Sequence, residues 1–226
     1  AIDGKQIEYG NLLFNAIPHR WYGKKVNCLG DSLTASGAVW QSELKKLLGL
    51  NTIRNYGSSG TCITSLRDET APDTNYRYRA TSMDSDVDLI IVMTSINDNG
   101  SQLGEWNWTN KTGTFSTDTD KAVNNVATIA GATNELISIL RTNFTGVDIV
   151  FFGHPHMNWG QWSFNACALE KEICGYNAIP YFDACRESNI YGPSGTASTY
   201  YTDGTHLTKA GNIKLAQYMA GCLRSL

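Results

Sequence analysis

Apolar and polar positions change period several times along the 226-residue chain. Residues 24–30 read as a strand that ends at a glycine. Residues 38–48 place apolar side chains at 40, 44, 47 and 48, one face of a helix, with Gly49 as a stop. A second strand is expected over 52–56, ahead of the glycine-rich Gly57-Ser58-Ser59-Gly60. The nearly unbroken apolar run over 87–94 predicts a central strand buried on both faces. A long helix is expected over 119–140, with Val123, Val126, Ala130, Ile137 and Leu140 among its apolar positions. Further on, the pattern predicts a strand over 147–152, a helix over 162–174, a short strand over 179–182 and a closing helix over 208–223. Residues 67–82 (polar and Arg-rich) and residues 99–117 (without a period) both read as loops. Residues 1–23 read as an irregular lead-in, packed on the domain or linking it to something upstream, and residues 24–226 as the domain itself.

Strands and helices that alternate in this way call for an α/β fold: a mostly parallel sheet with helices on both faces. Such sheets bind ligands beyond the carboxyl ends of their strands. Four groups of polar residues fall there or beside the last helix. They are Gly30-Asp31-Ser32-Leu33, Asn55 to Gly60, Asn97-Asp98, and Asp203-Gly204-Thr205-His206.

Composition narrows the options without choosing among them. The formal net charge is −3, with 18 Lys and Arg scattered among 21 acids, which argues against nucleic acid as a partner. No apolar run approaches the roughly 20 residues of a membrane helix. Ala1-Ile2-Asp3-Gly4-Lys5 lacks a signal-peptide core, which fits a removed targeting segment, a piece of a longer chain or an intracellular protein. A secreted or surface-associated setting is favoured over a cytoplasmic one. Six cysteines are spread along the chain, without the density of a disulfide scaffold. Cys28 reads as a small buried hydrophobe. Cys167 and Cys174 fall about 10 Å apart along one predicted helix, too far to bridge. Pairings among Cys167, Cys174, Cys185 and Cys222 stay open.

The chemistry comes from combination. A serine after a strand is ordinarily a cap or a turn residue. With a base to take its proton, it becomes a nucleophile. His206 is a candidate base, and Asp203, in the same turn, a candidate carboxylate to orient the imidazole. Oxyanion donors, each worth roughly 3 kcal/mol when lost, are available from the backbone of Ser32, from Gly60 and from the amide of Asn97. No cofactor is called for. His154 and His156 form an HxH pair, but no third donor has ligand spacing, so no metal is expected. Asp31, Trp106, Trp108 and His154 are candidate substrate contacts, although Asp31 reads first as a turn-shaping residue.

The four groups, in this order, resemble the sequence blocks of the SGNH hydrolases, the GDSL esterase/lipase family. The matches run from residue 30 to residue 206. The resemblance implies a flavodoxin-like three-layer α/β/α sandwich with a mostly parallel five-stranded sheet. It also implies Ser32 as nucleophile, His206 as base, Asp203 as orienting acid, and Ser32, Gly60 and Asn97 as oxyanion donors, with Gly57 as the alternative to Gly60. One departure is Ser95, where the third block usually begins with glycine. A small-molecule or glycan ester is the expected substrate, most naturally a short acyl group such as acetyl on a carbohydrate. Two other readings fit the same residues: a lipase or lysophospholipase on the same triad, and a binding module of a larger surface or phage protein with little or no turnover.

Overall fold

The computed structural model describes residues 19–35, 39–67, 75–107, 109, 111–114, 123–155, 160–192 and 197–226. In chain order the first elements are β1 (Lys25–Gly30), α1 (Trp40–Leu48), β2 (Thr52–Gly57), α2 (Tyr76–Ala80) and β3 (Leu89–Met93). A small hairpin follows, β4 (Glu105–Asn107) with β5 (Thr112–Thr114), and then α3 (Ile129–Asn143) and β6 (Asp148–Phe152). The chain closes with α4 (Gln161–Tyr176), β7 (Tyr181–Phe182), α5 (Ala184–Glu187) and α6 (Lys209–Arg224).

Five strands form one parallel sheet in the order β2-β1-β3-β6-β7. This is the flavodoxin-like order, and the expected α/β/α sandwich is the fold. Its two cores follow from the period of 2 along each strand. Val26, Cys28, Leu89, Ile91, Met93, Val150 and Phe152 face one side, where Trp40, Leu44 and Leu48 of α1 meet Leu215, Met219 and Leu223 of α6. Leu29, Ile90, Val92, Ile149 and Phe151 face the other, against α2, α3 and α4. Every residue of β3 is buried, as its uninterrupted apolar run predicts. Strand order reverses between β1 and β3, so the chain leaving β1 enters the crevice that this topology opens.

Three sequence expectations are corrected. Within 67–82, read as a loop, Tyr76–Ala80 is a helix. Asn75 caps it by accepting from the Tyr78 N–H at 2.8 Å, and Tyr76 and Ala80, one turn apart, are buried. Within 99–117, also read as a loop, the β4–β5 hairpin forms. Gly113 lies so close to α3 that an added Cβ would meet the Ala130 carbonyl carbon at 2.1 Å. The helix expected over 119–140 begins at Ile129. Thr128 caps it through the Gly131 N–H at 3.0 Å, and Val123 stands 56% exposed ahead of it. The shift arises because Val123 and Val126 mimic the helical period from the loop that enters α3. Residues 119–122 of that expectation lie outside the described residues.

Residues 19–23 of the expected lead-in pack on the domain. Trp21 is 2% exposed and donates its indole N–H to Leu223 O at 2.6 Å. Residues 1–18 lie outside the described residues. Among the described residues no helix is long and apolar enough to cross a membrane.

Candidate active site

The turn after β1 is built around Asp31. Thr34 N–H and Ala35 N–H donate to Asp31 O at 3.0 and 2.8 Å, and Leu33 N–H donates to Asp31 Oδ1 at 2.9 Å. Trp40 and Gln41, at the start of α1, fix the far side by donating to Leu33 O at 2.7 Å and Thr34 O at 2.5 Å. Ser32 is left partly exposed at the apex. Gly57, at the end of β2, packs against the same turn. A Cβ there would meet Ala35 N at 2.3 Å, so only glycine allows the approach.

The second part comes from the turn before α6. Asp203 Oδ1 accepts from Thr205 N–H at 2.9 Å and His206 N–H at 2.7 Å, while its Oδ2 meets His206 Nδ1 at 2.7 Å. His206 Nε2 lies 3.1 Å from Ser32 Oγ. Hydrogen bonds from the His206 ring and backbone hold the Asp203 carboxyl down to about 2, so it is ionised at neutral pH. An ionised Oδ2 selects the tautomer with its proton on Nδ1. Nε2 is then a free lone pair facing the serine hydroxyl. The His206 and Asp203 side chains are 50% and 53% exposed, so the arrangement opens directly to solvent.

The loops after β2 and β3 complete the rim. Gly60 has φ +74°, a left-handed conformation that suits glycine. Neither Ser32 N–H nor Gly60 N–H meets an acceptor among the described residues. Asn97 is oriented differently: its amide nitrogen lies 3.1 Å from Asp31 Oδ2 and 3.2 Å from Thr61 O, holding two loops together. Ser95 adds a further tie. Its hydroxyl donates to Thr61 O at 2.8 Å and accepts from Asn97 N–H at 3.0 Å.

Sequence reasoning missed Asp98, which is fully buried. Its carboxylate accepts from Ile63 N–H at 2.9 Å, Thr64 N–H at 3.0 Å and the Thr64 hydroxyl at 2.6 Å. It thereby fixes the chain that leaves Gly60. Arg79 braces the same loop through Thr61 Oγ1 at 2.8 Å and Tyr56 O. The adjacency of Asp98 to Asn97 was the one signal available, since its partners lie more than thirty residues away.

The candidate substrate contacts fall elsewhere. Asp31 is fully buried, Trp106 is 9% exposed with its ring 5.1 Å from that of Tyr176, and His154 is 1% exposed. None of the three offers a substrate a surface, which corrects that expectation: their side chains fill the fold. Trp108 and His156 lie outside the described residues.

Asp31 also carries a prediction. Burial pushes its carboxyl up to about 6, against the pull of the Leu33 and Ile96 N–H groups. Between the ordinary carboxyl range and about pH 6 the folded chain therefore holds more protons than the unfolded one, and stability falls as pH rises through that window. The expected loss is about 3 kcal/mol. Denaturant midpoints of wild type and Asp31→Ala over pH 4–7 measure it. The difference between the two should shrink with rising pH, and a constant difference would refute the assignment.

The chain was compared with known proteins. A model of the GDSL-like Lipase/Acylhydrolase family matches residues 28–212. A search of curated sequences gave no match. Among solved structures, a protein from Lactobacillus plantarum is 22% identical with a TM-score of 0.72, the alignment covering 90% of this chain and 98% of that one. A lipase/acylhydrolase from Enterococcus faecalis is 15% identical with a TM-score of 0.54, over 89% and 96% of the two chains. An acetyl xylan esterase from the rumen bacterium Butyrivibrio proteoclasticus is 16% identical with a TM-score of 0.56, over 90% of this chain and 64% of that one. These likenesses concern the fold. The family match covers most of the chain, including all four polar groups around the turn of Ser32, and the protein belongs to the GDSL-like Lipase/Acylhydrolase family.

Proposed function

We propose that the protein is a serine esterase that removes short acyl groups, such as acetyl, from a carbohydrate through an acyl-enzyme on Ser32. The observation that carries this reading is the continuous contact from Asp203 Oδ2 to His206 Nδ1 at 2.7 Å and from His206 Nε2 to Ser32 Oγ at 3.1 Å. In the first half-reaction Ser32 Oγ attacks the ester carbonyl carbon as His206 Nε2 takes its proton. The oxyanion is received by the N–H groups of Ser32 and Gly60. Asn97 supplies a third donor when one of its amide hydrogens leaves Thr61 O. His206 then passes the proton to the departing alcohol oxygen. In the second half-reaction water gives its proton to His206, attacks the acyl carbon and releases the acid, and Ser32 recovers its proton.

A carbohydrate alcohol is supported by the openness of the site. A half-exposed imidazole and carboxylate leave room for a bulky alcohol such as a sugar chain. The acetyl xylan esterase of similar fold uses an alcohol of that kind. Initial rates on p-nitrophenyl acetate, butyrate and palmitate test the short-acyl preference. Acetate is expected to turn over fastest and palmitate at least about tenfold more slowly, a difference of roughly 1.4 kcal/mol in the barrier. Palmitate as the fastest substrate would overturn the short-acyl assignment and favour a lipase.

A further inference from the structure

Away from Ser32, the carboxyl edge of β6 and β7 encloses a second cluster of reactive side chains. His154 follows β6, Cys167 lies in the first half of α4, and Cys185 is in α5 directly after β7. Their exposures are 1%, 0% and 4%, and one donor atom from each lies within 4.8 Å of the others. Local structure brings them together. His154 N–H donates to Thr94 Oγ1 at 3.2 Å, which anchors the chain leaving β6 to the end of β3. Gly153 makes room, since a Cβ there would meet Tyr181 Oη at 2.7 Å and Cys167 Sγ at 3.2 Å. The Cys167 and Cys185 sulfurs lie within 4.8 Å of each other and of a ring nitrogen of His154.

We propose that His154, Cys167 and Cys185 form a binding site for a zinc-class divalent cation, separate from the site around Ser32. One imidazole nitrogen and two sulfurs are the donors that such ions prefer. In a tetrahedral site, metal–ligand bonds of about 2.0–2.3 Å place donor atoms roughly 3.5 Å apart, so donors that lie within 4.8 Å of one another need to close by about 1.3 Å at most. Binding exchanges two thiol protons for the cation. The two protons go to solvent, and two thiolates with a divalent ion leave the core without net charge. Three protein donors leave the fourth position to a small exogenous ligand. Because the site is closed to solvent, the ion enters as the chain folds, and its binding energy adds to folding. A Cys167–Cys185 disulfide would account for two of the three groups; a cation accounts for all of them. Sequence spacing conceals the set, since the three residues come from three separate elements.

The test is to refold the full-length chain anaerobically with cobalt(II), after unfolding in chelator and reductant. One cobalt per chain is expected, with a thiolate-to-cobalt charge-transfer band that zinc(II) abolishes by displacement. Zinc should raise the Tm by at least about 5 °C. Cys185→Ala and His154→Ala should lose the band. Cys174→Ala, a buried cysteine of α4 outside the cluster, should keep it. A folded wild type that shows no charge-transfer band and no zinc-dependent rise in Tm would overturn the proposal. So would an intact mass two hydrogens lighter in the isolated protein, mapped to a Cys167–Cys185 bond. Both of these results are read on the wild type, whatever the folding of the variants.

Discussion

Replacing Ser32 with alanine is expected to lower kcat for p-nitrophenyl acetate by at least about 10,000-fold. The Tm should move by less than about 2 °C, because the side chain carries little of the structure. Among the described residues its hydroxyl has one partner, His206 Nε2 at 3.1 Å. The turn around it is held instead by the Asp31 carbonyl and carboxylate and by the side chains of Trp40 and Gln41. Loss of chemistry and loss of fold are therefore separable at this position. Hydrolysis undiminished in a folded Ser32→Ala variant would remove Ser32 from the mechanism. Residual activity well above the uncatalysed rate is compatible with it, since the proposed oxyanion donors, the backbone N–H groups at positions 32 and 60, remain in the variant.

Asp203→Asn should cost about 1,000-fold in kcat with KM changed by less than about threefold. The carboxylate does two jobs at once. Oδ1 accepts two backbone N–H groups of its own turn, and Oδ2 receives His206 Nδ1 at 2.7 Å. Asparagine has a single acceptor oxygen. If that oxygen keeps the backbone contacts, the amide NH₂ faces the imidazole and stabilises the tautomer with its proton on Nε2, which has no lone pair for Ser32. If it turns to the imidazole, the turn loses its staple and His206 is displaced. In a buried triad the same substitution costs about ten times more. Here half of each side chain is exposed, so water screens the pair and can take part of the lost role. A rate within a few-fold of wild type would show that orientation of His206 does not depend on Asp203.

The sheet was legible in the sequence because its central strands β3 and β6 are almost wholly apolar and its strands are bounded by glycine or polar residues. Leu89–Met93 has no polar alternative, and each of the five strands appears near its expected place. The order of the four polar groups singled out Ser32, Asp203 and His206, which the structure brings into contact, since a strand end and one pre-helical turn fix where such residues fall. Short elements were hidden for a physical reason. The α2 helix has five residues and β4 and β5 three each, too few for a period to show, and they are held by a cap, a buried pair and a glycine contact formed in three dimensions. The supporting carboxylates were equally hidden. Nothing in the order Asn97-Asp98 reveals that Asp98 reaches Ile63 and Thr64, or that Asp31 gathers Ile96 and Asn97 across the crevice. Burial overrode chemistry in the opposite sense for Trp106 and His154, whose residue types suggest a substrate contact and whose positions are interior.

The central claim is that Ser32 is the nucleophile. Covalent labelling tests it most directly. The protein is treated with an alkyl fluorophosphonate, digested, and the adduct located by mass spectrometry alongside residual esterase activity. One phosphonyl group is expected, on Ser32, appearing in step with loss of activity and absent from His206→Ala. Complete inhibition with the adduct on another residue, or an active enzyme that carries the adduct on Ser32, would contradict the account.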